Sequence, residues 1–284
     1  MRSKGDRAEM SSGRQRFLAV ALCVLPLTAA FAQETRTKAA EGGFSYISVG
    51  REGEIRGHFD EWVLWKTAKG YDLETEMHLQ GRPQQSLAQE VLYLSDGFRI
   101  EGFKVFPVPW DPPLEGSYEC HLHPLADTQR LQCDNSIHNK QGGGNIVLPE
   151  PYLFEISVNS VDEDSAFDLP FSFASMVLSA PRDPKQSRTV PLVYLKVWAA
   201  DDGDPNHVKI VADRTEKKKV HFVGRERIMI LRKQIDALKF ELDDTFAIWT
   251  AENGMPLVVE HLHHPRRWEL TRFRQYQKLV PGLD

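Results

Sequence analysis

The sequence predicts a mainly β protein, built as a strongly curved antiparallel sheet or incomplete β-barrel with one central amphipathic helix. Short runs in which apolar and polar residues alternate recur along most of the chain, and this pattern is typical of half-buried strands. Turn dipeptides such as Asp96-Gly97 and Asn253-Gly254 separate several of these runs. One segment, residues 170–180, has the spacing of an amphipathic helix. A single helix in a β protein must bury its apolar stripe against a sheet.

The N-terminal segment, residues 1–32, has the features of a secretory signal peptide. Two arginines precede an apolar run over residues 17–32, and that run ends in the triplet Ala30-Phe31-Ala32. A basic start, a short apolar core and such a small-residue triplet predict cleavage after Ala32. A membrane anchor is the alternative, but a span needs about 20 apolar residues. We therefore expect a periplasmic or secreted protein.

The charge of the mature chain limits its partners. Without residues 1–32 the chain carries 30 basic and 38 acidic residues, a formal net charge of −8. This sign disfavours nucleic acid and anionic membrane surfaces as partners. No second long apolar run follows, so no transmembrane segment is expected in the mature chain. We expect a flexible N-terminal segment over residues 33–42 and a single curved β-sheet domain over residues 43–284.

An early hairpin is predicted from two neighbouring segments. Residues 71–80 alternate strictly between two sets of side chains, and residues 59–67 precede them across a short turn. Gly70 in that turn can supply a positive φ. Trp62 and Trp65 differ by three positions, so they should project from opposite faces of one strand. One of them would then face a cavity or lie under a covering loop.

The segment "YECHLHPLADTQRLQCDN" contains two of the three cysteines of the chain. If its turn is centred between residues 126 and 127, Cys120 faces Cys133 and Leu122 faces Leu131 on one side of a hairpin. The opposite side then carries the polar side chains of His121, His123, Arg130 and Gln132.

This register favours a disulfide between Cys120 and Cys133. The third cysteine, Cys23, lies in the predicted signal peptide, and an even pair of cysteines in an exported protein most simply forms a disulfide. The alternative is a zinc site that would combine the two cysteines with His121 or His123. Alternation opposes that site, because the thiols and imidazoles project from opposite faces.

The helix is predicted to begin after Asp168, a suitable N-cap, with Pro170 in its first turn. Its apolar stripe consists of Phe173, Met176, Val177 and Ala180, and serines occupy the opposite side. The stripe can pack as ordinary core. Alternatively it covers an apolar cavity as a plug, which makes Phe173, Met176 and Val177 candidate ligand-binding residues.

Two long stretches resemble the DUF3108-like family of exported bacterial proteins. They are "GREGEIRGHFDEWVLWKTAKGYDLETEMHL" and "FAIWTAENGMPLVVEHLHHPRRWELTRF", and the similarity of pattern covers most of residues 45–276. The resemblance implies a curved sheet that embraces a helix, similar in plan to periplasmic lipoprotein carriers of the LolA/LolB type. It implies no established reaction and no catalytic residues.

The strongest candidate metal ligands are His261 and His263, which alternation places on one strand face. This spacing can bind Zn²⁺ or Cu²⁺, but no third ligand follows nearby, so exposed strand histidines are the alternative. The glycine-rich residues 141–145 predict a mobile loop and lack the Lys-Ser/Thr pair of a phosphate-binding loop. The chain contains no G-x-S-x-G, H-E-x-x-H or S-x-x-K motif. We assign no catalytic residue and no cofactor.

These observations favour a non-enzymatic periplasmic protein. It would bind or carry an apolar or amphipathic ligand, such as a lipid, or an envelope protein. One alternative is a structural or interaction module whose core is filled. A second alternative is a hydrolase or metal-binding protein that uses His261 and His263.

Overall fold

Alternating strands continue through almost all of the chain that the structure describes. The computed structural model describes residues 36–49, 55–79, 82–106, 118–124, 128–135, 142–149, 153–158, 170–199 and 208–283. These residues form fifteen strands in one sheet and one helix, all within the unit Glu34–Asp284. The predicted signal peptide, residues 1–32, lies outside the described residues.

The elements follow in chain order. The strands of the N-terminal half are β1 (Thr37–Val49), β2 (Ile55–Lys66), β3 (Tyr71–Leu79), β4 (Arg82–Leu94), β5 (Ile100–Phe106), β6 (Tyr118–Pro124), β7 (Thr128–Asn135) and β8 (Gly142–Pro149). Next come β9 (Leu153–Val158), α1 (Pro170–Val177), β10 (Ser187–Ala199), β11 (Val208–Ile230), β12 (Lys233–Leu242), β13 (Phe246–Thr250), β14 (Pro256–His261) and β15 (Arg266–Gln275).

The sheet consists of two ladders of sequential neighbours, β1 to β8 and β9 to β15. The ladders join where β1 pairs antiparallel with β15. Among the described strands every neighbouring pair is antiparallel except β9 and β10, which are parallel. The predicted antiparallel sheet with one helix is therefore confirmed, with this single parallel pair as an exception.

The parallel pair explains where the helix lies. Parallel neighbours need a crossover connection, because a tight turn can only reverse the chain. The connection from β9 to β10 contains α1, and α1 packs against β12, β13 and β14 of the same sheet. The helix position thus follows from the topology of the strands.

The sheet curls until its two end strands approach each other. β8 lies at one end of the strand order and β9 at the other, yet only residues 150–152 separate them in sequence. Four residue steps span at most about 14 Å, and β8 contacts β11. Since β8 and β9 do not pair with each other in the described sheet, the curved sheet stays open.

Two expectations about flexible segments are wrong. Residues 37–42 belong to β1, and Ala39 and Ala40 are fully buried. Strand β1 hydrogen-bonds to β2 on one side and β15 on the other, so backbone pairing orders a stretch whose small and polar side chains show no pattern. The glycine-rich residues 142–145 likewise belong to β8 and pair with β7.

The turn glycines behave differently from one another. Gly254 has a φ of 96° and donates its N–H to the Ala251 carbonyl at 3.0 Å, so it is the left-handed residue that closes the turn between β13 and β14. Gly70 is not among the residues with positive φ. A Cβ there would lie 2.0 Å from the Leu94 carbonyl oxygen, so glycine is needed for close approach of two strands. The expectation of a positive φ at Gly70 is therefore wrong, and the position needs glycine because it has no room for a Cβ.

The interior contains two apolar clusters, and the helix contributes to both. The first includes Phe44, Trp62, Leu64, Leu73, Leu92 and Phe103, and Phe171 of α1 meets the Trp62 ring at 5.5 Å between centroids. The second includes Leu238, Phe240, Leu242, Ile248, Val259 and Trp268, with Phe173 and Val177 of α1. Trp62 is buried and Trp65 is only partly buried, which confirms that they lie on opposite faces.

Candidate functional site

The β6–β7 hairpin has the register that the sequence predicts. Cys120 lies opposite Cys133, and Leu122 lies opposite Leu131. Cys120 and Leu131 are fully buried, whereas His121, His123, Arg130 and Gln132 are exposed. Because adjacent residues of a strand project to opposite faces, Cys120 and the histidines cannot converge on one metal ion.

The imidazole of His121 takes part in a polar network on the outer face of β4, β5 and β6. Glu119 Oε1 accepts a hydrogen bond from the Tyr93 hydroxyl at 2.8 Å and lies 3.0 Å from His121 Nε2. Glu119 Oε2 accepts a hydrogen bond from Lys104 at 3.1 Å. Burial opposes ionisation of Glu119, but these three hydrogen bonds outweigh it and lower its pKa. The network is mutually satisfied and stabilises the sheet surface.

The helix residues predicted to bind a ligand lie in the core. Phe173 packs against Phe246 and Trp268, with ring centroids 4.8 and 5.7 Å away. Phe173 is 4% exposed and Val177 is fully buried. The side chain of Met176 lies outside the described part of the helix. At Phe173 and Val177 the stripe of α1 thus fills the space between helix and sheet.

The predicted strand face shared by His261 and His263 does not exist. β14 ends at His261, and His263 lies in the turn before β15. The Leu262 N–H donates to the Thr245 carbonyl at 2.7 Å and so continues the β13–β14 pairing by one position, after which the chain turns at His263. The backbone N–H of His263 donates to His261 Nδ1 at 3.1 Å. This hydrogen bond occupies one of the two His261 nitrogens that could bind a metal.

A third imidazole completes the histidine cluster. The ring of His264 lies 4.5 Å from that of His261, and the ring of His263 lies 6.2 Å from it. Burial and then the nearby His264, Arg266 and His263 lower the pKa of His261, which favours its neutral imidazole. Within the residues that the structure describes, no group of three His, Cys, Asp or Glu side chains is placed to hold a metal ion.

A broad hollow of about 790 Å³ lies on the outer face of the sheet, across β15, β1, β2, β3 and β4. Its charged lining residues are Glu41, Glu61, Glu74, Glu76, Arg272 and Arg274. Several of them form ion pairs. Arg272 pairs with Glu61 at 2.7 Å, and Glu74 pairs with the neighbouring Arg36 at 2.6 Å. The hollow is therefore a solvated surface of paired charges, and these paired side chains offer a ligand few charged groups to bind.

A smaller cavity of about 390 Å³ lies between the tip of the β11–β12 hairpin, the end of β15 and the C-terminal segment. Leu231, Phe273 and Leu283 supply apolar walls, and Lys233, Arg274 and Gln275 supply polar ones. Apolar walls with a few polar groups at one side are typical of small-molecule sites. The volume also falls in the usual range of roughly 300–1,000 Å³ for such sites.

The sequence did not point to this cavity. Its residues come from a hairpin tip, a strand end and the chain end, and they meet only because the curled sheet brings these segments together. The one local signal is the apolar pair Leu279-Val280 after the polar residues 274–278. Nothing in the sequence distinguishes Gln275 from other glutamines.

One carboxyl group is buried in the inner face of β2. Asp60 is 1% exposed, and burial raises its pKa to about 7. Nearby in the interior, the indole N–H of Trp62 is buried without a hydrogen-bond partner among the described residues. Both groups are polar atoms in the buried interior, where charge is costly.

No known family, curated protein or solved structure matches this chain. In the described part of the chain, no helix is both long enough and apolar enough to cross a membrane. The function must therefore be argued from the geometry of the chain itself.

Proposed function

We propose that this chain is an exported, non-enzymatic protein that binds an amphipathic ligand of the cell envelope. The observation that carries this proposal is the cavity between the β11–β12 hairpin tip, β15 and the C-terminal segment. Its walls combine Leu231, Phe273 and Leu283 with the cations Lys233 and Arg274. This combination suits an apolar chain that ends in an anionic head, such as a carboxylate or a phosphate.

Export is part of the same proposal. The basic start, apolar core and Ala-x-Ala triplet of residues 1–32 support cleavage after Ala32 and delivery to the periplasm or the exterior. The facing positions of Cys120 and Cys133 support a disulfide, which an oxidising compartment allows. The resemblance to the DUF3108-like family is kept as a proposed relationship.

A second candidate function is a structural or interaction module with a filled core. The burial of Phe173 and Val177 favours it, because these two side chains pack against the sheet and are almost entirely covered. In this alternative the cavity near Leu231 holds only water.

Native mass spectrometry of protein exported to a bacterial periplasm tests the first proposal. We expect an adduct of lipid mass that is lost on denaturation. Leu231→Asp places a carboxylate in the cavity, and aspartate tolerates the φ of 51° at this position. Met229→Asp is the matched control, because Met229 lies in the same hairpin and is 56% exposed.

The outcomes separate the candidates. An adduct retained by Met229→Asp and lost by Leu231→Asp supports ligand binding in the cavity. A bare polypeptide in the wild-type protein would sink the ligand proposal and favour the filled module. The same spectra test export and the disulfide. We expect the mass of a polypeptide that begins at Gln33, and we expect it to be two hydrogens lower than the mass of the reduced polypeptide.

A further inference from the structure

We propose that the C-terminal strap, residues 276–283, is a built-in ligand mimic that occupies part of the apolar site and is displaced when an amphipathic ligand binds. The inference rests on the proposed function and adds its regulation. The strap follows β15 directly and reaches Leu283, which forms a wall of the 390 Å³ cavity. Withdrawal of the strap would join the space it leaves to that cavity.

The strap has the polarity of an amphipathic ligand. Its apolar side chains, Leu279, Val280 and Leu283, are buried in the first cluster together with Ile230 and Ile235 of the β11–β12 hairpin. The remaining strap residues are wholly or partly exposed. Side chains that point inward are therefore purely apolar, and the polar groups face the solvent, as in an amphiphile seated in a groove.

The strap is held mainly by side chains of other elements. Gln275 Oε1 accepts hydrogen bonds from the backbone N–H groups of Leu279 at 2.8 Å and Val280 at 3.0 Å. Gln275 Nε2 donates to the Val280 carbonyl at 3.2 Å. Asn253 Nδ2 donates to the Leu279 carbonyl at 3.1 Å. One glutamine thus clamps the middle of the strap.

Among the described residues, backbone-to-backbone hydrogen bonds join the strap to the sheet at its start. Tyr276 and Gln277 donate their N–H groups to the Ala39 carbonyl at 2.8 and 3.1 Å. From Leu279 onward, the described backbone bond is internal, from the Leu283 N–H to the Val280 carbonyl at 3.3 Å. A segment with so few ladder bonds opens at a lower free energy than the strands beneath it. The strap can therefore leave while β15 stays paired.

The test uses residues 33–284 and cis-parinaric acid, a fluorescent fatty acid with an anionic head. Gln275→Ala removes the clamp, so the open fraction of the strap increases. Apparent affinity scales with the fraction of molecules in the binding-competent state. If the substitution increases the open fraction about tenfold, we expect the probe to bind Gln275→Ala about tenfold more tightly than wild type. Gln277→Ala is the control, since the Gln277 side chain donates to Thr37 Oγ1 at the strap's start, at 3.3 Å, and not to the backbone that Gln275 clamps.

Amide hydrogen exchange on the wild-type chain gives a readout that needs no variant. We expect the amides of Leu279 and Val280 to exchange faster when the probe is bound, because the ligand replaces the strap. Slower or unchanged exchange at these amides with the probe bound overturns the strap inference and leaves the binding function standing. Absence of probe binding to wild type and Gln275→Ala alike overturns both proposals.

Discussion

Tyr93 of β4 and His121 of β6 stack on each other, with ring centroids 4.9 Å apart and an angle of 19° between the planes. The strand between them contributes Gly102, which lies opposite Tyr93 on one side and His121 on the other. The two rings meet over a residue without a side chain. Glu119 then accepts a hydrogen bond from Tyr93 and contacts His121, which fixes the orientation of both rings.

Gly102→Ala should destabilise the protein. A Cβ at this position would lie 2.5 Å from the Cys120 carbonyl oxygen and 3.1 Å from the Tyr93 ring. Because backbone and stacked rings must both shift, we expect a loss of about 1–3 kcal/mol in the free energy of unfolding, measured in urea. Gly97→Ala is the control, since its Cβ would meet only the Ser95 hydroxyl, at 3.9 Å. Equal stability of the two variants would contradict the argument.

Asp60→Asn should change how stability depends on pH. Burial raises the pKa of Asp60 from 3.8 to about 7, so between these values the folded chain keeps a proton that the unfolded chain has released. The stability associated with this group is complete below about pH 4, falls as the pH rises to about 7, and is constant above it. We expect Asp60→Asn to be the more stable protein at pH 8, by at most about 4 kcal/mol, and to show no gain at pH 4.

The measurement for this prediction is urea unfolding at several pH values between 4 and 8. Asp244→Asn serves as the control, because Asp244 is exposed in the turn before β13. Parallel pH profiles for wild type and Asp60→Asn would show that Asp60 does not titrate with folding.

Arg232→Gly should stabilise the β11–β12 hairpin. Leu231 and Arg232 form its two-residue turn with φ values of 51° and 64°. Two positive φ angles define a type I′ turn, which favours Asn-Gly because other side chains are strained there. Arg232 is exposed, so glycine relieves strain without removing core contacts.

We expect Arg232→Gly to gain about 1 kcal/mol, or roughly 2–4 °C in melting temperature. Gln234→Gly, an exposed substitution within β12, should instead lose about 0.5–1 kcal/mol. A destabilised Arg232→Gly variant would mean that the arginine side chain stabilises the turn more than its φ strains it.

Phe173→Ala should separate packing from ligand binding. Phe173 contacts the rings of Phe246 and Trp268 in the second cluster, so its truncation should cost about 3–5 kcal/mol in unfolding free energy. We expect the affinity for cis-parinaric acid to stay unchanged under conditions where the variant is folded, because Phe173 does not line the cavity near Leu231. A large loss of affinity with little loss of stability would contradict this prediction and indicate that the ligand binds at the helix. Ser172→Ala on the same helix is the control.

Local pattern predicted those parts of the fold in which neighbours in sequence are neighbours in space. The register of Cys120 with Cys133 followed from alternation and a central turn, and the buried stripe of Phe173 and Val177 followed from helical spacing. The strand character of residues 37–42 could not be predicted, because it comes from pairing with β15. The turn position of His263 was missed because alternation alone does not show that β14 ends at His261, before the turn into β15.

The candidate site could not be predicted from the sequence, because it too is formed by segments that are far apart in the chain. Gln275 becomes a clamp only because residues 279 and 280 fold back onto it. Leu231 and Leu283, which are 52 positions apart in the chain, share a cavity only after the β11–β12 hairpin has met the chain end. Such contacts depend on the whole topology and produce no periodic pattern of apolar residues in the sequence.

The pairing of β1 with β15 has a consequence for the order of folding. Apart from the parallel β9–β10 pair, each ladder can form by adding one hairpin after another, but Phe44 must find Leu270 across more than 220 intervening residues. Loop-closure entropy grows with the logarithm of the separation, and topologies dominated by distant contacts fold slowly. The first strand to leave a ribosome or a translocon thus waits for the last one, and during that interval its edge is open to wrong partners. A circular permutant opened between β8 and β9, with the original ends linked, makes this pairing local and should fold faster than the natural chain.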